Sequence, residues 1–272
     1  MTDPLANAAL TATPLVVAHR GSSASLPEHT LDAYRQAIDE GADGLECDVR
    51  LTRDGHLVCI HDSRLERTSN GRGRVSATTL AELAKLDFRR RPNDTPAWDE
   101  LKEPLDSLGV LTLDRLLSTV LDAGRPLRLL IETKHPSRFG SAVEEKLVEL
   151  LGRHGLDRAN PASKVAVTVM SFSPLALRTV RVLAPELPRV FLFEMPLPRA
   201  LDGRAPFAAP ILGPGVATLR DNPELVRRAH ARGRQVYAWT VNTPADVDLA
   251  LSVNVDAIIT DRPAYVLSRL GR

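Results

Sequence analysis

The chain has 272 residues, 43% hydrophobic and 25% charged, which excludes wholesale disorder, collagen-like repeats and a coiled coil. Thirty-five Lys and Arg against 34 Asp and Glu leave a net charge of +1, so no global basic field recommends a nucleic-acid partner. The length suits a single domain, residues 1–272, with a sizeable core. Met1 to Pro14 lacks a basic n-region and an apolar core, which predicts no signal peptide. The uncharged stretch Ala205–Leu219 is 15 residues long and broken by prolines and glycines, too short to cross a bilayer. A cytoplasmic protein without stable membrane insertion is expected. Cys47 and Cys59 are too few for a disulfide scaffold and read as free buried thiols. Oligomeric state is not legible.

In chain order, Leu15–Ala18 is the first apolar strand. A helix runs from about Thr30 to Glu40 and stops at Gly41. Gly44–Val49 is the second strand. Thr52-Arg53-Asp54-Gly55 is a hairpin turn, and His56–Ile60 returns from it. The next interval, Ser63–Gly109, is rich in Arg, Asp and Pro and reads as an insertion or cover loop. Its Arg89-Arg90-Arg91 run reads as a solvated face rather than an anion clamp. Its aromatics, Phe88 and Trp98, read as a small local core. Further strands follow at Leu127–Glu132, Lys164–Met170, Arg189–Phe193, Pro214–Thr218, Gln235–Thr240 and Asp256–Thr260. Helices at Ser141–His154, Pro174–Leu183, Asn222–Arg232, Pro244–Leu251 and Ala264–Leu270 alternate with them. Eight such strands alternating with helices predict a (β/α)8 TIM barrel, with an insertion between the second and third barrel strands.

Catalytic groups of a parallel barrel sit at the C-terminal ends of its strands. Here those ends are polar: His19-Arg20-Gly21, Glu46 and Asp48, His61-Asp62, Glu132-Thr133-Lys134, Ser171-Phe172, Trp239 with Asn242, and Thr260-Asp261. Glu46 and Asp48 are two apart on a strand and share a face, as do Glu132 and Lys134. Carboxylates forced together need a cation or a proton between them. Glu46, Asp48 and Glu132 without a histidine ligand make a hard oxygen site suited to Mg2+ or Ca2+. Salt bridges to Arg20 or Lys134 would satisfy the same acids. His19 and His61 beside that cluster suit acid–base work. Arg20 and Lys134 suit an anion such as phosphate. P-loop, GxGxxG, HExxH and GxSxG motifs are absent, and Gly213-Pro214-Gly215 lacks a dinucleotide fingerprint.

Taken in order, Ala18-His19-Arg20-Gly21, Pro27-Glu28-His29-Thr30, Gly41-Ala42-Asp43-Gly44, Glu46-Cys47-Asp48-Val49, Thr52-Arg53-Asp54-Gly55 and His61-Asp62 resemble the glycerophosphodiester phosphodiesterases of the bacterial cytosolic type. Glu132-Thr133-Lys134, Trp239-Thr240-Val241-Asn242 and Thr260-Asp261-Arg262-Pro263 extend the resemblance over about residues 14 to 268. The resemblance implies a metal-dependent enzyme of glycerol and lipid metabolism. Such an enzyme splits glycerophosphodiesters into sn-glycerol 3-phosphate and an alcohol. It implies one divalent cation, Mg2+ or Ca2+, on Glu46, Asp48 and Glu132. It implies His19 and His61 as the acid–base pair; the sequence does not decide which is which, and His19 as base with His61 as acid is the assignment adopted. Arg20 and Lys134 would bind phosphate, and Phe172 and Trp239 would line the substrate pocket. Many members carry Asn where this chain has His29. Glu28 would support the metal directly or from behind.

Two rival activities share these residues. One is lysophospholipid phosphodiesterase (lysophospholipase D type) chemistry, for which Ala205–Leu219 would supply an acyl groove. The other is a barrel lyase with Lys134 as Schiff-base nucleophile. The acids around Lys134 argue against the latter by keeping it protonated.

Overall fold

Strands of apolar, largely β-branched residues dominate the chain. The computed structural model describes residues 13–89, 109–160, 162–195 and 209–272. Among these, the strands are β1 (Leu15–His19), β2 (Gly44–Leu51), β3 (Leu57–Cys59), β4 (Leu127–Thr133) and β5 (Val165–Ser171). They continue as β6 (Arg189–Phe193), β7 (Ile211–Pro214), β8 (Gln235–Ala238) and β9 (Ala257–Thr260). All but β3 pair in parallel, in the order β1-β9-β8-β7-β6-β5-β4-β2, and β1 also pairs with β2, which closes the expected eight-stranded barrel. β3 lies outside the ring, antiparallel to β2.

Alternation along the strands sorts side chains into two sets. Val17, Leu130, Met170, Leu192, Tyr237 and Ile259 fill the interior. Leu45, Cys47, Leu129 and Ile131 face outward, onto a core shared with the helices. The helices follow their caps. Thr30 accepts from the Ala33 amide and starts α1 (Leu31–Asp39), which buries Ala33, Tyr34 and Ala37. Gly41, at φ +88°, ends it as predicted.

The sequence reading differs from the structure at two elements. The strand placed at Pro214–Thr218 is β7, three residues earlier, and Val216–Asp221 is a helix. Gly213 explains the position: a Cβ there would lie 2.6 Å from a Leu192 methyl, so β6 and β7 meet only around a glycine. A helix at Leu113–Asp122, capped by Thr112 and burying Leu113, Leu116, Leu117 and Val120, was not anticipated.

The insertion follows β3. Its described part carries a 3-10 turn at Val75–Ala77 and a short helix, α2 (Leu80–Leu83), with a Thr79/Glu82 capping box. Leu65, Val75, Leu83 and Phe88 form a small core of their own with Val58 and Ile60. Phe88 is thus a core residue, and Arg89 pairs with Asp87; Arg90, Arg91 and Trp98 lie outside the described residues. Cys47 and Cys59 are buried and free. No helix among the described residues is long and apolar enough to cross a membrane.

Candidate active site

The strand register assembles the site. His19 pairs with Glu46 across β1 and β2, and Asp48 pairs with Glu132 across β2 and β4. At the end of β1 the chain turns sharply, with Arg20 at φ +59° and Gly21 at φ +84°. A Cβ on Gly21 would lie 2.6 Å from the Ala33 backbone, so only glycine lets the turn pack on α1. The turn directs the Arg20 amide onto Glu46 Oε2 at 3.2 Å.

Glu46, Asp48 and Glu132 are buried, and each offers an oxygen within 4.8 Å of the others. Asp48 is the centre of the charge network. Arg20 Nε stands 3.0 Å from its Oδ2 and Lys134 Nζ 2.9 Å from its Oδ1. His29 Nε2 lies 2.9 Å from Oδ2, while His29 Nδ1 faces the Tyr34 hydroxyl at 2.8 Å. Tyr34 in turn donates to the Glu46 carbonyl. His29 therefore keeps a polar role by holding Asp48. Lys134 also reaches Glu132 Oε1 at 2.7 Å. The salt bridges foreseen from the sequence and the acidic cluster are thus both present.

Burial opposes charge on Asp48, but Arg20, His29 and Lys134 hold its carboxyl well below the usual range. Burial, with the Asp48 charge added, pushes Glu46 well up and Glu132 up to about 8. Burial alone would lower Lys134, yet Asp48 and Glu132 outweigh it and raise it, so the amine stays protonated. Its two carboxylate partners, at 2.9 and 2.7 Å, argue against Lys134 as a ready Schiff-base nucleophile. Asp48 Oδ1, though close to Lys134, has no aligned hydrogen bond. A buried oxygen without an aligned donor, on one of three buried carboxyls that offer oxygens within 4.8 Å of one another, fits a divalent cation in an oxygen site.

Two histidines stand above this floor. His19 Nδ1 is 2.6 Å from Asp261 Oδ1. Asp261 is itself held by Asn242 Nδ2 at 2.5 Å and by the Ser23 hydroxyl at 2.9 Å. His61 Nδ1 is 2.7 Å from Asp62 Oδ1. Burial, with Arg20 and Lys134 nearby, pushes His61 down to about 4 against the pull of Asp48 and Asp62. His19, Arg20, Glu46, His61, Glu132, Lys134, Phe172 and Trp239 all line one cleft of about 270 Å3, and Asp48 lies buried among their partners. Trp239 is fixed by its Nε1–H on the Gly213 carbonyl, and Phe172 meets it edge-on with centroids 5.4 Å apart.

Glu28 does not join the acidic cluster. It lies between Arg20 and Arg67, and its carboxyl is held down to about 2: burial opposes charge on it, but the Arg67 hydrogen bonds and Arg20 prevail. Residues the sequence left without a role include Asp261, Asn242, Arg67 and the cleft-lining Glu194. Asp261 and Asn242 were visible as polar strand ends; Arg67 and Glu194 carried no signal.

A closed (β/α)8 barrel with carboxyls, histidines and cations gathered at the strand C-termini has its candidate site where barrel enzymes carry theirs. The Glycerophosphoryl diester phosphodiesterase family matches residues 19–265, and the chain belongs to it. It is 48% identical over 253 residues to a probable glycerophosphodiester phosphodiesterase 1 of Mycobacterium tuberculosis, covering 92% of this chain and 90% of that one. A glycerophosphodiester phosphodiesterase of Bacillus subtilis is 35% identical over 254 residues, covering 92% and 84%. Among solved structures, an Oleispira antarctica phosphodiesterase in complex with the product sn-glycerol-3-phosphate matches with a TM-score of 0.76 and 26% identity, over 95% of this chain and 97% of that one. The chain is accordingly a phosphoric diester hydrolase of this family.

Proposed function

We propose that the protein hydrolyses glycerophosphodiesters to sn-glycerol 3-phosphate and an alcohol, with His19 and His61 as the acid–base pair. The observation that carries this reading is the two His–carboxylate pairs facing one cleft above a floor of acids and cations. Glu46, Asp48 and Glu132 would hold one divalent cation, Mg2+ or Ca2+. When bound, that ion would supply Lewis-acid polarisation and a template for the phosphate. The product named for the Oleispira antarctica relative supports glycerol 3-phosphate as the product here.

Arg20 and Lys134 draw the phosphodiester onto the floor and offset charge that grows on its oxygens in the transition state. Asp261 accepts from His19 Nδ1–H, which leaves Nε2 free for the reacting hydroxyl. Only neutral donors, Ser23 and Asn242, share Asp261 with His19, so its carboxylate is at hand to offset charge that develops on the ring during the reaction. Asp62 shares its charge with Arg67 and supports a proton on His61 less. His19 therefore takes the proton of the nucleophile, water or the neighbouring glycerol hydroxyl. An oxygen–phosphorus bond forms, the bond to the alcohol breaks, and His61 gives that alcohol its proton; where the glycerol hydroxyl attacks, a water then opens the resulting cyclic phosphate to glycerol 3-phosphate. The anionic substrate beside His61 opposes the push on its proton affinity and lets it carry the proton it delivers. Phe172 and Trp239 bound the cleft on its apolar side.

An acyl-chain substrate finds less support. The described part of Ala205–Leu219 is strand and helix, with Ile211, Leu212 and Leu219 buried in the fold. A cytoplasmic location belongs to the same proposal and rests on the two free thiols.

The test is glycerol 3-phosphate release from glycerophosphocholine by the wild type, His19→Ala and His61→Ala. Each variant is expected to lose about 10²–10⁴-fold in kcat, the usual worth of a general acid or base. A kcat within a few-fold of wild type in either variant would sink the pair.

A further inference from the structure

We propose that Arg67 is a positioning residue of this enzyme: one guanidinium that sets His61 through Asp62 and Arg20 through Glu28. The inference rests on the activity proposed above.

Arg67 Nη1 and Nη2 donate to the two oxygens of Glu28, both at 2.7 Å. Nε donates to Asp62 Oδ2 at 2.6 Å, and Nη2 reaches Oδ1 at 3.3 Å. Glu28 Oε1 also accepts from Arg20 Nη1 at 3.2 Å. Asp62 Oδ1 also faces His61 Nδ1 at 2.7 Å. The carboxylate behind the phosphate-binding arginine and the carboxylate behind the histidine are therefore joined through a single cation.

The surroundings make Arg67 a fixed part. Leu65 is buried in the insertion core, and Ser69, also buried, closes back on the Leu65 carbonyl through both its amide and its hydroxyl. The backbone on either side of Arg67 is thus pinned. Its stem has only to extend toward the loop after β1, where Glu28 lies 39 residues earlier in sequence. Two carboxylates gathered at one place repel unless a cation lies between them. A planar guanidinium presents forks on two edges and can grip both at once; an ammonium is a point charge and cannot. This gives the insertion a chemical task. By seating Arg67, it holds His61 in line with the phosphate-binding floor.

The experiment is steady-state hydrolysis of glycerophosphocholine by Arg67→Ala and Arg67→Lys, each alone and in a His61→Ala background, with folding followed by circular dichroism. Arg67→Ala is expected to lower kcat about 10- to 100-fold, the scale of a misplaced catalytic group, and to raise KM. Free guanidinium at millimolar concentration should restore part of that loss. Arg67→Lys should fold like the wild type yet recover little of kcat. In the His61→Ala background, Arg67→Ala should lower kcat clearly less than it does alone, because one of the two groups it positions is gone, while the rise in KM through Glu28 and Arg20 should persist. Equal losses in both backgrounds, or wild-type kcat and KM in Arg67→Lys, would overturn the proposal. If Arg67→Ala does not fold, the Lys variant in both backgrounds decides. A wild type inactive on every glycerophosphodiester overturns the activity; an active wild type indifferent to Arg67 overturns only this inference.

Discussion

Glu132 holds its proton more tightly in the folded protein than in an unfolded chain. Burial, with the Asp48 charge added, pushes its carboxyl from 4.5 up to about 8. A group raised in this way contributes stability that is fully present below its unfolded pKa and is lost as pH rises through the folded one. For Glu132 that window runs from 4.5 to about 8. One pKa unit is worth about 1.4 kcal/mol, so metal-free protein should lose on the order of 5 kcal/mol across the window. Glu46, raised by burial and Asp48, acts in the same sense. A divalent cation on Glu46, Asp48 and Glu132 replaces those protons, so its binding should strengthen with pH and release protons. The assay is thermal unfolding between pH about 5 and about 8, with EDTA and with Mg2+ or Ca2+, beside calorimetric titration in buffers of different ionisation enthalpy. The gap in Tm between loaded and stripped protein should widen with rising pH. Glu132→Gln, which cannot ionise, should reduce the widening and leave the part due to Glu46. A gap that stays constant or narrows, or binding without proton release at neutral pH, refutes the reasoning.

Other consequences follow from the same network. Asp261→Asn should cut kcat about 10- to 100-fold with KM little changed, since it orients His19 without touching the substrate; unchanged kcat would remove Asp261 from the mechanism. Lys134→Ala breaks a buried charge pair and should cost about 3–5 kcal/mol in denaturant unfolding as well as weakening substrate binding; a loss below about 1 kcal/mol, the worth of an exposed pair, would contradict its buried pairing. Glu28, Asp62 and Asp261 are each held down to about 2. Their stabilisation is present above the unfolded carboxyl value near 4 and should vanish as pH falls toward about 2; acid titration of the circular dichroism signal checks this, and flat stability over that range would contradict it. Gly21→Ala meets both a left-handed backbone and a clash with Ala33, and should cost more than about 2 kcal/mol by urea unfolding; a neutral result would show that the turn after β1 can rearrange.

Much of the barrel was legible because its strands are short apolar runs between turn signals. Arg189–Phe193 matches β6 residue for residue. The β7 error arose because Gly213 and Pro214 look like a loop, and only the close approach of Leu192 shows that a glycine belongs in the strand there. The helix at Leu113–Asp122 was readable in principle from its Thr112 cap and its leucines at helical spacing, but it lies against an interval whose composition suggested irregular structure. In the site, residues two apart on one strand could be paired from sequence, so Glu46 with Asp48 and Glu132 with Lys134 were within reach. Partners supplied by barrel closure were not. Asp261 meets His19 across 242 residues. Arg67 reaches Glu28 from an insertion whose path no periodicity reveals. Glu28 itself shows the limit of reading a motif by charge alone: its neighbours, both arginines, make it a structural counter-ion.

The most direct measurement is glycerol 3-phosphate release from glycerophosphocholine, followed by a coupled dehydrogenase, after EDTA treatment and after Mg2+ or Ca2+ is added back separately. Release that disappears with EDTA and returns with one or both cations is the expected result, and it would rank the two ions. Release that persists unchanged in EDTA would contradict the cation site on Glu46, Asp48 and Glu132. No release from any of several glycerophosphodiesters by cation-loaded protein would contradict the proposed reaction itself.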